Sequence, residues 1–466
     1  MKICDLIECS YDIEILGITD DSRDVEEKFL FVATKGFNVD HFDYIDDAIE
    51  KGASFIIADR EINRNFPHII VNNINDCYIE LCSKFYNASP DEFNLIGITG
   101  TDGKTTTSTV VSQLVKNMAC IGTNGVILND EYYPTNNTTP CISELYKSLK
   151  LIKSCNCKDI VMEVSSESLL HKRIKSFKYD VICFTNITED HLNVHKTIEN
   201  YRACKFSLVD YLKKDGIIVV NGDDKNCKML DSDNLYRIGV ESDNDFVISD
   251  VKELSKFVKF TITYNGDKYD IKSPLLGLYN VYNVTMAFAV CLLKGMDVNQ
   301  LLKGISKLNV IRGRREYLNY GQEFDIILDY AHTYNGIKSI LESVSNYKKI
   351  ITVTGAAGGR EKEKRSKIGK LVLEKSDVSI FTMDDPRYES VDDIIDQMVG
   401  EIDIPYYRII NRVDAIYKAF EIADKDSVVL ILGKGRDNYM AIEDRKEKYS
   451  DFEVVEKYFD KIQGIK

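Results

Sequence analysis

The stretch Asn94-Leu95-Ile96-Gly97-Ile98-Thr99-Gly100-Thr101-Asp102-Gly103-Lys104-Thr105-Thr106-Thr107 constrains this chain more than any other. It opens as the short β-branched and apolar run of a buried parallel strand, breaks into glycines, and continues in a Thr/Ser-rich segment that starts a helix. That order makes an anion cradle. Gly100 and Gly103 let backbone N–H groups converge on one point, and the helix N-terminus adds its partial positive charge. Lys104 reaches the terminal phosphates of a nucleotide, and the Thr105 hydroxyl suits Mg²⁺. The spacing is a variant P-loop, because the strict pattern has four residues between its first glycine and Gly-Lys, whereas Gly97 leaves five and Gly100 two.

Composition narrows the partners. A chain of 466 residues suits about three domains. The net charge of −14 excludes a general nucleic-acid binder, so local sites must hold any anionic ligand. Twelve cysteines lie between Cys4 and Cys291, and residues 1–9 lack the basic start and apolar core of a secretory leader. Reduced thiols in a cytoplasmic protein are therefore expected. Cys155 and Cys157 have no matching second pair, which argues against zinc, and no apolar run is long enough to cross a bilayer.

Residues 1–90 alternate short apolar runs (13–16, 29–32, 55–58, 68–71) with acidic turns, and a helix over 46–52 ends at Gly52, which predicts a small α/β domain. Ser22 and Arg23 form its one polar cluster that suggests a ligand, although such a cluster also suits a solvated turn. From the P-loop to residue 316 the spacing predicts a doubly wound, mostly parallel sheet. One strand, 159–164, carries Glu163 near its end, and another, 181–185, leads to Asp190-His191. Ligands gather at the carboxyl ends of strands in open α/β sheets, so Lys104, Thr105, Glu163 and His191 converge on one crevice. A carboxylate and an imidazole beside a nucleotide phosphate can ligate a second Mg²⁺. Singly, each also suits a helix-capping carboxylate or a hydrogen-bonded surface histidine.

Alternation over 257–271 around Asn265-Gly266 predicts a hairpin, an antiparallel insertion in this domain. The helix that follows, 275–293, carries Asn280 and Asn283 one above the other, able to hold an adenine ring or to cap a turn. Residues 312–316 (Arg-Gly-Arg-Arg-Glu) read as a hinge. Beyond it, strands at 325–328, 350–354, 378–382 and 427–432 alternate with helices, a Rossmann-like third domain. Three polar clusters follow its strands: Asp329-Tyr330-Ala331-His332, Asp384-Asp385-Pro386-Arg387 and Gly433-Lys434-Gly435-Arg436-Asp437. The expected fold class is thus α/β in three domains, 1–90, 91–316 and 317–466.

Read in order, Gly-Ile-Thr-Gly-Thr-Asp-Gly-Lys-Thr-Thr (97–106), Asn-Thr-Thr-Pro (137–140), Met-Glu-Val-Ser-Ser (162–166), Phe-Thr-Asn-Ile-Thr-Glu-Asp-His-Leu (184–192), Asn-Val-Tyr-Asn (280–283), Gly-Arg-Arg-Glu (313–316), Asp-Tyr-Ala-His-Thr (329–333) and Asp-Asp-Pro-Arg (384–387) resemble the motifs of the Mur ligase family along essentially the whole chain. The resemblance is greatest to its members that add the third amino acid, meso-diaminopimelate or another amine, to UDP-N-acetylmuramoyl-L-alanyl-D-glutamate in peptidoglycan synthesis. It implies that Gly100, Thr101, Asp102, Gly103, Lys104, Thr105 and Thr106, with Asn280, Asn283, Arg314, Asp329 and His332, bind ATP. Thr105 would bind one Mg²⁺, with Glu163 and His191 on a second. Lys205 falls where these ligases carry a carbamylated lysine, an anion that helps ligate Mg²⁺. Ser22, Asn137, Thr138, Thr139, Ser165 and Arg173 would contact the UDP-linked dipeptide, and Asp384, Asp385, Pro386, Arg387, Gly433 and Asp437 the amino acid.

The implied reaction is attack of the dipeptide carboxylate on the γ-phosphate of ATP, then attack of an amine on the acyl phosphate. Positioning and charge neutralisation carry such chemistry, so no protein nucleophile is needed. A cytoplasmic monomer is expected. Several residues depart from the family pattern: Asp102 and Asp385 replace Asn, Asn193 replaces Asp, Arg312 stands where Pro is common, and Gly-Lys-Gly-His-Glu becomes Gly-Lys-Gly-Arg-Asp at 433–437. Arg436 and the shorter Asp437 are expected to alter the side of the pocket that holds the distal amino group. L-lysine, another amine or a specialised pathway are the alternatives, and a P-loop switch or motor is a third class, distinguished by hydrolysis without an acceptor.

Overall fold

The computed structural model describes residues 1–35, 40–254 and 256–463. The chain forms two compact units that are each discontinuous in sequence: Met1–Thr99 with Val115–Cys183 and Cys204–Ile218, and Gly100–Leu114 with Phe184–Ala203 and Val219–Lys466.

In the first unit the strands Gly17–Thr19, Phe29–Val32, Ala53–Ala58 and His68–Ile70 pair in chain order, all parallel. Phe31, Ala33, Ile45, Ala48 and Ile56 are among the side chains of a core beside this sheet. The first strand lies just beyond the apolar run 13–16. Ile15 is buried, but its N–H donates to Met1 O at 2.7 Å and Ile13 O accepts from Ile3 N at 2.9 Å, so that run pairs with the N-terminal segment. Gly17 starts the sheet because the Phe29 ring fills the space a Cβ would need. A second sheet in this unit places Tyr179–Phe184, Asn94–Thr99, Asp159–Glu163, Met118–Gly122, Gly125–Leu128 and Glu131–Tyr133 side by side in that order. The inner pairs are parallel, with Ile98 opposite Glu163, and the last two are antiparallel. The sequence Asp-Ile-Val-Met-Glu has no alternation because both faces are covered, leaving Ile160, Val161, Met162 and Glu163 all buried.

In the second unit, Phe246–Leu254, Phe257–Tyr264 and Asp267–Ser273 make the expected antiparallel piece. Its Asn265-Gly266 turn has φ of 51° and 87°, the two positive angles that favour these residues in a tight hairpin. The helix Leu278–Leu293 follows, shorter at its start than the expected 275–293 because Gly277, at φ 96°, turns the chain into it. The last sheet orders Glu316–Leu318, Asp325–Asp329, Ser427–Leu432, Lys349–Thr354, Val378–Phe381 and Tyr407–Arg408, parallel except for its first pair. Val428, Leu430 and Leu432 join one core with Tyr334–Ser343, Glu363–Lys375 and Val391–Val399, while Val429 and Ile431 join the other with Arg412–Ile422 and Asp451–Gln463. Helices on both faces explain the unbroken apolar run Ser-Val-Val-Leu-Ile-Leu, and the unit ends in a Rossmann-like layer. Among the described residues no helix is long and apolar enough to cross a membrane.

Candidate active site

The second unit holds the P-loop itself. Gly100 and Gly103 take φ of 151° and 85°, and a Cβ on Gly103 would lie 2.5 Å from Asn283 Oδ1, so glycine is required for the loop to reach the helix behind it. Lys104 opens the helix Lys104–Leu114 and folds back, donating to Gly100 O at 2.9 Å and Thr101 O at 2.8 Å. Thr101, Thr105 and Thr106 are buried. Asn186, just past the strand Tyr179–Phe184, receives the Asp102 N–H at 2.9 Å and returns its own amide to Asp102 O at 3.1 Å. Asn283 accepts from the Thr107 hydroxyl at 3.3 Å and donates to Asn280 Oδ1 at 3.2 Å, while Asn280 donates to Leu276 O at 2.7 Å. As they stand, the two amides tie the helix to the P-loop.

Two further segments of this unit meet the same loop, and a third meets residues 190–193. Arg314 Nη2 donates to Thr105 Oγ1 at 2.9 Å, and its guanidinium lies over the Tyr330 ring at 4.5 Å. Thr333 donates to both carboxylate oxygens of Asp102 at 3.1 Å and also caps the helix Tyr334–Ser343. Burial pushes the Asp102 carboxyl above its ordinary range, opposed by His332 and Lys104. Asp329 accepts from Arg315 N at 2.6 Å and Ala331 N at 2.7 Å, shaping the turn that carries His332, whose Nδ1 is 2.9 Å from Tyr330 O. The third segment is one the sequence reading did not single out. Arg360 Nη1 lies 3.4 Å from His191 Nδ1, Lys364 donates to Asp190 at 3.1 Å, and Glu361 accepts from Asn193 N at 3.1 Å. Burial pushes Asp190 up, but His191 and Lys364 outweigh it and hold this carboxyl well below the usual range. The signal that could have found this segment is Gly355 to Gly359 after a strand, followed by a basic run.

The first unit holds the remaining central residues. Glu163 is 1% exposed, and its carboxylate accepts from Thr123 N at 2.9 Å and Thr123 Oγ1 at 3.2 Å. Thr139 joins its neighbours: its hydroxyl donates to Glu163 O at 2.8 Å and accepts from Ser165 N at 2.9 Å, while Arg173 donates to Thr139 O at 3.2 Å. Thr138 is 3.1 Å from the Thr123 hydroxyl, and Ser165 caps the helix Ser166–Leu170. Asn137 is exposed and Ser22 buried, each apart from these bonds, and Arg23 forks onto Asp21. Lys205 is also 1% exposed, 3.4 Å from the hydroxyl of Thr99, the residue that precedes Gly100.

The clusters expected to bind the amino acid lie together in the second unit. Lys434, buried, donates to Asp385 Oδ1 at 2.8 Å and lies 3.3 Å from Asp437. Gly433, at φ 110°, leaves room for the Asp384 carboxylate. Burial pushes Asp437 up to about 6 against the pull of Lys434. Arg387 sits at φ 51°, beyond Pro386, and donates to Gly358 O at 3.2 Å. Arg436 does not join this pocket. It turns to Glu316 and Phe452, so the added cation leaves the Asp437 side unchanged, contrary to the expectation from its sequence position.

Residue sets of this kind fit hard-cation chemistry. Thr105 and His191 in the second unit offer oxygen and imidazole donors, Glu163 in the first offers a carboxylate, and among the described residues no three His, Cys, Asp or Glu side chains converge into a metal cage. Mg²⁺ bound by few protein groups, phosphate and water needs no such cage.

Known proteins match the chain throughout. Residues 98–291 match the Mur ligase middle domain, 313–435 the Mur ligase glutamate ligase domain, and 14–85 the Mur ligase catalytic domain. A UDP-N-acetylmuramoyl-L-alanyl-D-glutamate–2,6-diaminopimelate ligase of Bacillus licheniformis is 35% identical over 462 residues, covering 96% of this chain and 95% of that relative. A solved structure of a ligase of the same name is similar in fold, with a TM-score of 0.63 at 24% identity over 99% of each chain. A MurF ligase from Thermotoga maritima in complex with ADP gives 0.65 at 20% identity over 96% of this chain and 97% of that one.

Proposed function

The chain belongs to the Mur ligase family, and from that premise we propose that it joins 2,6-diaminopimelate to UDP-N-acetylmuramoyl-L-alanyl-D-glutamate at the expense of ATP, a step of peptidoglycan precursor synthesis in the cytoplasm. One observation carries the reading beyond likeness. Two residues of the P-loop, Asp102 and Thr105, are each bonded to a residue of the stretch that matches the glutamate ligase domain, Thr333 and Arg314.

The residues divide the work. Backbone N–H groups of 100–105 and Lys104 hold the ATP phosphates, Lys104 leaving its carbonyl partners for them. Arg314 and the Asp329–His332 turn lie on the nucleotide side. Thr105, with Glu163 and His191, would hold Mg²⁺, which supplies neutralisation of the phosphate charge when bound. Glu163 lies opposite Ile98 in the strand pairing of the first unit. Lys205, buried beside the Thr99 hydroxyl, would carry the carbamate that members of the family bear at this position. Thr138, Thr139, Ser165 and Arg173, with Asn137 and Ser22, would face the UDP-linked dipeptide.

The dipeptide's terminal carboxylate oxygen attacks the γ-phosphorus in line and ADP leaves. The amine nitrogen then attacks the acyl carbon, loses a proton, and expels phosphate. Positioning and charge neutralisation carry both steps.

We assign meso-diaminopimelate over L-lysine on the state of the 384–387 loop. Lys434 neutralises the charge that Asp385 adds, which leaves the Arg387 guanidinium, bonded to the Gly358 carbonyl, to receive a distal carboxylate. Incubation of the enzyme with ATP, Mg²⁺, the UDP-linked dipeptide and a panel of amines tests this. A tripeptide product with meso-diaminopimelate is expected, and turnover with L-lysine alone would reject the assignment.

A further inference from the structure

Arg436 lies in the loop 433–437 yet serves the other side of it. Its Nε donates to Glu316 Oε2 at 2.9 Å, its Nη2 pairs with Glu316 Oε1, and its guanidinium carbon lies 3.4 Å from the centre of the Phe452 ring. Glu316 Oε2 also accepts the Gly313 N–H at 2.7 Å, so one carboxylate grips both ends of the segment 313–316 and the acceptor loop. Both residues are largely buried, which gives the fork more weight than a surface ion pair carries.

The backbones are also in close approach. Gly313, at φ 66°, would place a Cβ 2.9 Å from Arg436 N, and Gly313 O accepts from Tyr330 N at 3.0 Å. Gly435, at φ 52°, would place one 3.0 Å from the Tyr330 ring. The segment 313–316 therefore sends Arg314 to the P-loop hydroxyl of Thr105 and Glu316 to the loop that presents Lys434 and Asp437. Within that loop Lys434 and Asp437 turn one way and Arg436 the other.

We infer that Arg436 and Glu316 are a positioning pair that couples the acceptor-amine loop to the nucleotide side, so that occupancy of one site changes the affinity of the other. The inference rests on the ligase reading above. Linkage makes such coupling reciprocal, and one of ordinary strength changes affinity about 5- to 150-fold.

The test measures binding of a non-hydrolysable ATP analogue with and without saturating diaminopimelate, and KM for the amine, in the full-length enzyme, R436K and R436M. Wild type is expected to bind the analogue roughly tenfold more tightly when the amine is present. R436M should lose that difference and raise KM for the amine about tenfold with a smaller change in kcat, and R436K, keeping one donor and the charge, should fall between. Thermal unfolding of each variant accompanies these measurements. R436M that melts earlier but keeps both the coupling and the amine KM would overturn the inference and leave the pair merely structural. Absence of coupling in an active wild type would overturn it too, whereas a wild type that makes no product would instead sink the ligase reading.

Discussion

Arg314 reaches the hydroxyl of Thr105 across 209 positions of sequence, at 2.9 Å, while stacked on Tyr330. A guanidinium in that place is well set to meet charge that develops on a transferring phosphoryl group. R314K keeps the charge but loses the fork and the stacking, and kcat/KM for ATP is expected to fall about 100-fold in steady-state assays. A change under about twofold would remove Arg314 from the nucleotide site.

Thr333 has two tasks, capping its helix and donating to the half-buried Asp102 carboxylate. T333V removes both and is expected to cost about 2 kcal/mol in denaturant unfolding, the sum of a lost cap and a half-buried acceptor left short of a donor. T333S keeps the hydroxyl and should be close to wild type. Equal losses in the two variants would show that the methyl group, and not the hydroxyl, matters.

Asp437 titrates near 6 rather than at its ordinary 3.8 because it is buried. A folded-state pKa raised above the unfolded one means that the protonated form is the better packed. Its contribution to stability is therefore present in full below about 3.8 and declines as pH rises to about 6. Substitution D437N should flatten the stability profile across that interval. It should also abolish a rise in KM for a cationic amine below about 6, since only the ionised carboxylate attracts an ammonium group.

Much of the fold was legible because its strands are buried on both faces. Ser427–Leu432 and Phe29–Val32 stand where continuous apolar runs predict them. The strand at Gly17–Thr19 was not legible, since the apolar run before it spends its hydrogen bonds on Met1 and Ile3. Within the candidate site, residues close in sequence to the glycines were readable from spacing. Arg360 and Lys364 were not, because their meeting with His191 and Asp190 depends on partners about 170 residues away. The direction of Arg436 was equally hidden: positive φ at Gly433 and Gly435 turns successive side chains to opposite sides of the loop.

Lys205 offers a spectroscopic test. With ¹³C-bicarbonate, the wild type should show a carbamate carbon resonance that K205R lacks, and K205A should lose acyl-phosphate formation while retaining ATP binding. A spectrum without that resonance, together with full turnover by K205A, would discard the modification.

The central claim is that the dipeptide carboxylate itself attacks the γ-phosphate. With ¹⁸O in both oxygens of that carboxylate, and with ATP, Mg²⁺ and diaminopimelate supplied, the released phosphate should carry one labelled oxygen, with the other retained in the new amide. Unlabelled phosphate, or steady ATP hydrolysis with neither carboxylate nor amine present, would contradict the account.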